Sequence, residues 1–458
     1  MPANPPSGNP RPQLSRDLGV SHACAVVVGT IIGSGIFLVP AEMMQAVGSA
    51  RLVYLAWIVG GLLSFFGALT YAELGAMKPQ AGGEYVYVRD AYGSLAGFLY
   101  AWTWFLIAKP ASIATVTTGL VRILGTFSAF RYFADPVLLH PLTVTYGQLV
   151  AISATVLISL LNYVGIKRAG EFQLVFTLLK VGIILAIVWI GFSYPGGSWA
   201  HFAETYPGAR GGMTGFMAAL VAALWAYDGW NDLNMVSEEI RRPERSIPIA
   251  LIVGVAVVAA LYMLVNAAVQ YVLPTGAIAM SPRAASDAIG VVLGPIGAQV
   301  VSAAMALSML VTLNGTIMSG ARVPFAVSRD RYFFSALAEV NPRFHTPSIA
   351  LAVQALLSIL LLVLGGSFRQ LFSLAIFAEW LFYMIAASTI FVFRRRDPGM
   401  ARPYRTWGYP VVPALFFLAS ALLLFYTITD NLRNSLAGML VILAGIPVFY
   451  GFARRRQD

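Results

Sequence analysis

Two stretches place helix-weakening residues inside otherwise apolar runs. In "VVVGTIIGSGIFLVP", Val26 to Pro40, the interruption comes from Gly29, Gly33, Ser34 and Gly35. In "LWAYDGWNDLNMVSEE", Leu224 to Glu239, it comes from Asp228 and Gly229. A helix that opens frees backbone groups carrying partial charge. The amides of Gly33, Ser34 and Gly35 would start a new helical segment and offer a positive dipole end to a carboxylate. The carbonyls near Thr30 and Ile31, and those near Leu224 to Ala226, would end the segments before each break and offer negative ends to an ammonium. One pocket with both features suits a zwitterion such as an α-amino acid. Glycine at the break lets another backbone or a ligand approach closely.

Other ionisable residues sit in apolar surroundings. Asp228 at mid-membrane would cost about 2.5–3.5 kcal/mol on insertion scales, so it must face a cavity or a partner. Lys180 lies in "VFTLLKVGIILAI", too deep to snorkel to an interface, and needs an acceptor. Lys109 precedes the kink-forming Pro110, with Asp232, Glu379 or a carbonyl as its candidate partner. Trp225, at the second break, suits a gate, whereas Trp230 suits packing. Glu238 and Glu239 stand beside Arg241 and Arg242 and are expected to form ion pairs. The histidines His22, His140, His201 and His345 are scattered. No H-E-x-x-H, Walker A or G-x-S-x-G pattern is present, so no metal, cofactor or ATP chemistry is expected.

The elements that must hold these groups follow from composition. The chain has 458 residues, of which 58% are hydrophobic and 11% charged, with a mean hydropathy of +0.75. Soluble domains carry about 25% charged residues, so this is an all-α polytopic membrane protein. Apolar runs near 18–46, 51–76, 92–125, 146–166, 170–193, 213–239, 247–272, 296–328, 347–365, 368–393, 411–429 and 435–453 make twelve transmembrane helices. With the N-terminus inside, twenty of the thirty Lys and Arg fall on inner segments. Only Arg51, Arg131, Arg210, Arg283, Arg369 and Arg433 fall outside. That bias places both termini in the cytoplasm and the chain in the plasma (inner) membrane. It also assigns the net charge of +10 to an anionic lipid surface rather than to nucleic acid.

The two breaks lie in spans one and six, so a shift of five spans inverts the second unit. Matching interruptions in two halves point to a transporter binding site. The organisation expected is a flexible tail (1–16), a first repeat (17–193), a second inverted repeat (212–393), two appended spans (410–453) and a short tail (454–458). Against this, a lone "GSGIF" would be a small-residue packing surface between helices; the second break at the corresponding place argues for the cavity.

The same residues resemble the amino acid–polyamine–organocation superfamily, and within it the L-type amino acid transporters. "GTIIGSGIF" matches the first-span motif, and "WAYDGWNDLNMVSEEIRRPERSIPIA" resembles the sixth-span signature and the loop after it. "AKPAS", "NGTIMSGAR" (which begins at Asn314), "FAEWLFY" (which contains Glu379) and "RPYRTWGYPVVP" also look like family segments. The resemblance spans about residues 17–450 and implies a LeuT-type fold of five plus five inverted spans with alternating access. It implies that Ile31, Gly33, Ser34 and Gly35 hold the substrate through backbone groups, that Trp225 is the aromatic gate, and that Asn231 lies beside the pocket. It implies that Lys180 replaces a sodium ion between spans one and eight, hence sodium-independent exchange. Some members that carry cationic as well as neutral amino acids have Asp at the position of Asp228, which implies a site for a cationic side chain; the alternative is that Asp228 bonds the unwound backbone and does not touch ligand. Animal members often join a heavy chain through an external cysteine. The single cysteine here, Cys24, lies in the first span, so no disulfide-linked partner is expected. A proton-coupled amino acid or polyamine symporter is the nearest alternative, with Lys180, Asp228 or Glu379 carrying the proton. A membrane-embedded enzyme is a distant one, lacking convergent catalytic groups. A channel would favour repeated pore rings.

Overall fold

The computed structural model describes residues 13–138, 143–364, 368–430 and 432–455. His140, most of the expected N-terminal tail and residues 456–458 lie outside them. The described chain is almost entirely helical, with one short antiparallel pair, Pro136–Leu138 with Val144–Thr145.

The first apolar run is two helices, α1 (Val20–Ile31) and α2 (Gly35–Val47), separated by three non-helical residues. After α3 (Ala50–Met77), a short α4 (Glu84–Tyr92) leads into α5 (Ser94–Thr103). A five-residue π-helical segment, Trp104–Ala108, joins α5 to α6 (Lys109–Leu124). The wider π turn falls just before Pro110, which has no amide hydrogen to continue an α-helical ladder. Next come α7 (Tyr146–Tyr163) and α8 (Ile166–Phe192).

The sixth run ends early as a helix. α9 (Gly212–Ala226) stops at Ala226, and one turn, α10 (Asp232–Met235), follows. Gly229 between them has φ +106°, a conformation other residues rarely adopt. α11 (Pro243–Val272) is continuous, and α12 (Thr275–Met280) is a short connector. In α13 (Ala284–Gly320), Gly294 at φ +74° and Pro295 break the helix, so the spanning portion begins near the expected residue 296. Then come α14 (Arg322–Arg329), α15 (Ser348–Leu364), α16 (Phe368–Arg396), α17 (Val411–Asp430) and α18 (Leu432–Arg455).

Among the described residues, nine helical stretches are long and apolar enough to cross a membrane, and α9 and α15 are shorter apolar helices. Lipid-facing and core-facing surfaces separate along α8, where Leu178 and Leu179 are exposed while Gln173, Thr177 and Lys180 are buried. The two broken runs cross at the centre, with α1 against α10 and α2 against α9. α3, α8, α11 and α13 pack around them.

Candidate functional site

The crossing of the two breaks encloses a cavity of about 80 Å³. Thr30, Ile31, Gly33, Ser34 and Gly35 line it from the first break, and Trp225, Ala226, Asp228, Gly229 and Asp232 from the second. Lys109, Ser112, Thr115 and Val116 come from α6, Thr312 and Thr316 from α13, and Glu379 from α16. Of the residues singled out in the sequence, Thr30, Ile31, Gly33, Ser34, Gly35, Trp225, Asp228, Lys109 and Glu379 all meet here.

The backbone at the first break is arranged by identifiable partners. Gly33 spends its amide on the Ile31 carbonyl at 2.8 Å, so the amides opening α2 are those of Ser34 and Gly35, which have no helical carbonyl before them. Tyr262 of α11 places its hydroxyl 3.0 Å from the Ile31 carbonyl and 2.9 Å from the Ala226 carbonyl. The C-terminal ends of α1 and α9 therefore converge on one phenol, whose single hydrogen serves one carbonyl at a time, and the Ile31 carbonyl also accepts from Gly33. Gly35 is where α9 touches the break: a Cβ there would lie 2.7 Å from Ala226 Cα. The close approach that requires this glycine is thus helix to helix. The hydroxyl of Thr30 is buried at the cavity wall without a protein partner.

Lys180 is buried behind the break. Its ammonium donates to the carbonyls of Gly29 at 2.8 Å and Ile32 at 2.6 Å, and to that of Ser308 at 3.4 Å. Ser308 and Thr312 hydroxyls donate to the same two carbonyls of α1 and its end. A positive group thus occupies a cage of carbonyl oxygens between the first break and α13, outside the cavity itself.

Charge in the cavity is unbalanced. Lys109 forms an ion pair with Asp232, and its ammonium lies 5.2 Å from the Trp104 ring centre. Asp228 accepts from the Tyr383 hydroxyl at 2.8 Å, and Glu379 accepts from Ser112 at 2.9 Å. Among the described lining residues there are three carboxyl groups and one cation. Buried carboxylates without a counter-charge are costly, so this wall favours a ligand cation or a bound proton.

One expectation needs correction. Asn231 does not line the cavity. Its amide nitrogen donates to Glu84 at 2.7 Å, and its oxygen lies 3.1 Å from the Tyr383 hydroxyl. Glu238 and Glu239 do form ion pairs, as expected, with partners other than the adjacent Arg241 and Arg242. Glu239 makes a two-pronged, fully buried pair with Arg322 at 2.8 and 3.0 Å, and Glu238 pairs with Arg329. Arg241 instead reaches Asp17, while Leu18 bonds to the backbone of Glu239 and Arg241, tying the start of α1 to the loop after α10. Asn314, a structural or coupling candidate from the sequence, bonds Asn162, Gln173 and the Ala169 carbonyl.

Sequence reasoning did not find Tyr262, Tyr383, Ser112, Thr115, Thr312 or Thr316. The spacing of Ser308, Thr312 and Thr316, every fourth residue along one apolar helix, was the available signal, since it lays hydroxyls on a single face.

Long apolar helices around a small polar cavity, itself bounded by two interrupted helices, define a multi-pass membrane protein that handles a small solute. The sequence profile of the family described as amino acid permease matches residues 18–449. The serine/threonine exchanger SteT of Bacillus subtilis (strain 168) is 31% identical over 451 residues, which cover 97% of this chain and 98% of that protein. The cystine/glutamate transporter of Homo sapiens is 30% identical, covering 98% of this chain and 87% of the relative. The b(0,+)-type amino acid transporter 1 of Mus musculus is 30% identical, covering 95% and 88%. The chain belongs to the amino acid permease family, within the amino acid–polyamine–organocation superfamily. That family and these relatives are transporters, not enzymes.

Proposed function

We propose that this protein is a sodium-independent amino acid exchanger of the plasma (inner) membrane, working by alternating access with both termini cytoplasmic. The observation that carries this reading is the cavity bounded by both helix breaks, with amide ends at Ser34 and Gly35 and carbonyl ends at Ile31 and Ala226. A substrate carboxylate meets the former and its ammonium the latter. Trp225 gates the side-chain end, and the small volume with Thr115, Val116, Thr312 and Thr316 favours small side chains. Asp228 adds an attraction for cationic ones. Lys180, fixed on carbonyls that a sodium ion would need, supports sodium independence.

The twelve-span reading, with repeats over 17–193 and 212–393 and two further spans over 410–453, has support in the packing. Replacing each span by the one five places along turns the α1–α11 contact into α9–α3, α8–α13 into α16–α6, and α6–α15 into α13–α7. The pairs α3–α11, α6–α13 and α7–α15 map onto themselves. All these contacts occur. On the same reading, the seal at Leu18, Glu239 and Arg322 closes the inner side, and the lone Cys24 in α1 leaves no anchor for a disulfide-linked heavy chain.

Proton-coupled uptake is the second reading, favoured by the surplus carboxyls Asp228 and Glu379. Uptake of a panel of amino acids into preloaded and empty liposomes, with and without sodium, tests both. Exchange predicts accumulation only in preloaded vesicles and no sodium effect. Equal uptake into empty vesicles, driven by a pH step, would overturn exchange in favour of symport.

A further inference from the structure

Glu84 opens α4, between the second and third apolar spans, and is fully buried. Its Oε1 accepts from the Asn231 amide nitrogen at 2.7 Å, and its Oε2 has no hydrogen-bond partner among the described residues. No cation is paired with it among the described ion pairs. The groups that face it are Tyr71 from α3, Tyr87 from its own helix, Tyr100 from the next, Lys109 from α6, Asp232 from α10 and Tyr383 from α16. Lys109, the one cation of this set, is already committed to Asp232. Burial pushes the Glu84 carboxyl up to about 8, against the opposing bond from Asn231.

On the far side of Asn231, one hydroxyl hydrogen is claimed twice. Tyr383 lies within hydrogen-bonding distance of both Asp228 Oδ1 (2.8 Å) and Asn231 Oδ1 (3.1 Å), and both are acceptors. A phenol has a single hydrogen to give. While Glu84 is ionised, Asn231 must turn its nitrogen toward Glu84 and its oxygen toward Tyr383, so the conflict is built in. If Glu84 takes a proton from solvent, its new O–H can donate to the Asn231 oxygen once the amide turns over. The Asn231 nitrogen then donates to the Tyr383 oxygen, and the Tyr383 hydrogen goes wholly to Asp228. Every member of the chain then has a donor matched to an acceptor.

We propose that Glu84 is a proton-binding site linked to the substrate cavity through Asn231 and Tyr383, by a hydrogen-bond chain that reverses polarity when Glu84 is protonated. The sign follows from charge. Ionised Glu84 adds negative charge behind Asp228 and leaves Asp228 with a shared hydrogen, so it favours a cationic ligand there. Protonated Glu84 lowers that charge and secures the Tyr383 bond, so it favours a neutral one. By reciprocity, a cation on Asp228 expels the Glu84 proton.

The inference rests on amino acid transport only for its first readout. In liposomes of equal internal and external pH, counterflow of lysine relative to a neutral amino acid should rise about fivefold or more from pH 6.5 to 9, the lower end of usual coupling factors. In Glu84→Gln the ratio should stay flat within about twofold, while neutral exchange continues. A Glu84→Gln ratio that follows the wild type would overturn the proposal and leave exchange intact. The second readout needs no transport: infrared difference spectra of the full chain between the same pH values. A buried carboxylic-acid carbonyl band, lost on raising the pH, absent in Glu84→Gln and shifted in Tyr383→Phe, is expected. A wild type without that band refutes the proton site whatever the substrate proves to be. If Glu84→Gln does not fold, Glu84→Asp keeps a titrating group, and its band and ratio must shift in pH together.

Discussion

Gly35→Ala tests whether the two breaks form one device. A Cβ at Gly35 would lie 2.7 Å from Ala226 Cα and 2.9 Å from Ala226 Cβ. Carbon atoms rest about 3.5–4.0 Å apart, so Ala226 must retreat by about 1 Å. It is backbone, and its carbonyl is tied to Tyr262 at 2.9 Å, so it has no flexible end to swing aside. Overpacking of this kind costs about 1–3 kcal/mol. Retreat also draws the Ala226 carbonyl from the phenol that holds Ile31, separating the two carbonyl ends an ammonium would meet.

If that cost falls on the arrangement that binds substrate, affinity drops by about 5- to 140-fold at 1.4 kcal/mol per decade. The assay is equilibrium binding of the transported amino acid to purified protein, with exchange in liposomes beside it. Gly182→Ala is the control: it lies in α8 on an exposed face, and a Cβ there meets nothing within 4 Å. It should bind within about twofold of wild type, since helix propensity alone is worth under about 1 kcal/mol. A Gly35→Ala protein that binds and exchanges normally would refute the claim that contact between the breaks shapes the cavity. So would a Gly182→Ala protein that loses as much.

Lys180→Ala removes charged donors from the Gly29 and Ile32 carbonyls, each worth about 1.5–3 kcal/mol, while Ser308 and Thr312 keep some cover. Exchange should fall at least about tenfold, and residual uptake should become sensitive to sodium; sodium-blind, full-rate uptake contradicts the carbonyl-cage reading. Asp228→Gly should abolish uptake of cationic amino acids and spare neutral ones, as measured by competition across a panel. Unchanged uptake of both would remove Asp228 from substrate selection. Arg322→Ala strands Glu239 in a fully buried site and should destabilise the protein by about 3–5 kcal/mol. The Glu239→Gln, Arg322→Met double variant should recover much of the loss in a detergent thermal-stability assay.

Hydropathy and the two glycine interruptions made the spanning helices and the central crossing legible, because both are local properties of the chain. The positions of Lys180 and Asp228 were legible as anomalies of burial. What stayed hidden was partner choice. Glu239 lies two residues from Arg241, yet pairs with Arg322, because helix ends set which charges meet, and sequence distance does not. Asn231 was placed beside the cavity because the resemblance puts it in a Gly-Trp-Asn element there. A tight turn through Gly229, at φ +106°, sends it to the opposite side, toward Glu84. Tyr262 is one of two tyrosines in the apolar helix α11, and only the crossing of α1, α9 and α11 distinguishes it.

The first break is maintained largely by donors of the protein itself. In an unbroken helix the carbonyls of Gly29 to Ile32 would accept from residues 33–36. Here Gly29 and Ile32 accept from Lys180, Ser308 and Thr312, and Ile31 accepts from Gly33 and shares the single Tyr262 hydrogen with Ala226. The carbonyl cost of opening the helix is thus met largely by protein donors, and the site is preformed. The opposite, amide end at Ser34 and Gly35 opens onto the cavity. On the proposed binding mode, that asymmetry makes the carboxylate the more sensitive half of the substrate. Replacing it by a carboxamide leaves the α2 amides facing a neutral oxygen and should weaken binding by about tenfold or more, given that bonds to charged acceptors are worth about 1.5–3 kcal/mol. Methylating the ammonium, which keeps its charge, should cost less. Competition binding with the two analogues decides it, and an amine change costing more than the carboxyl change would reverse the assignment of which helix end does the holding.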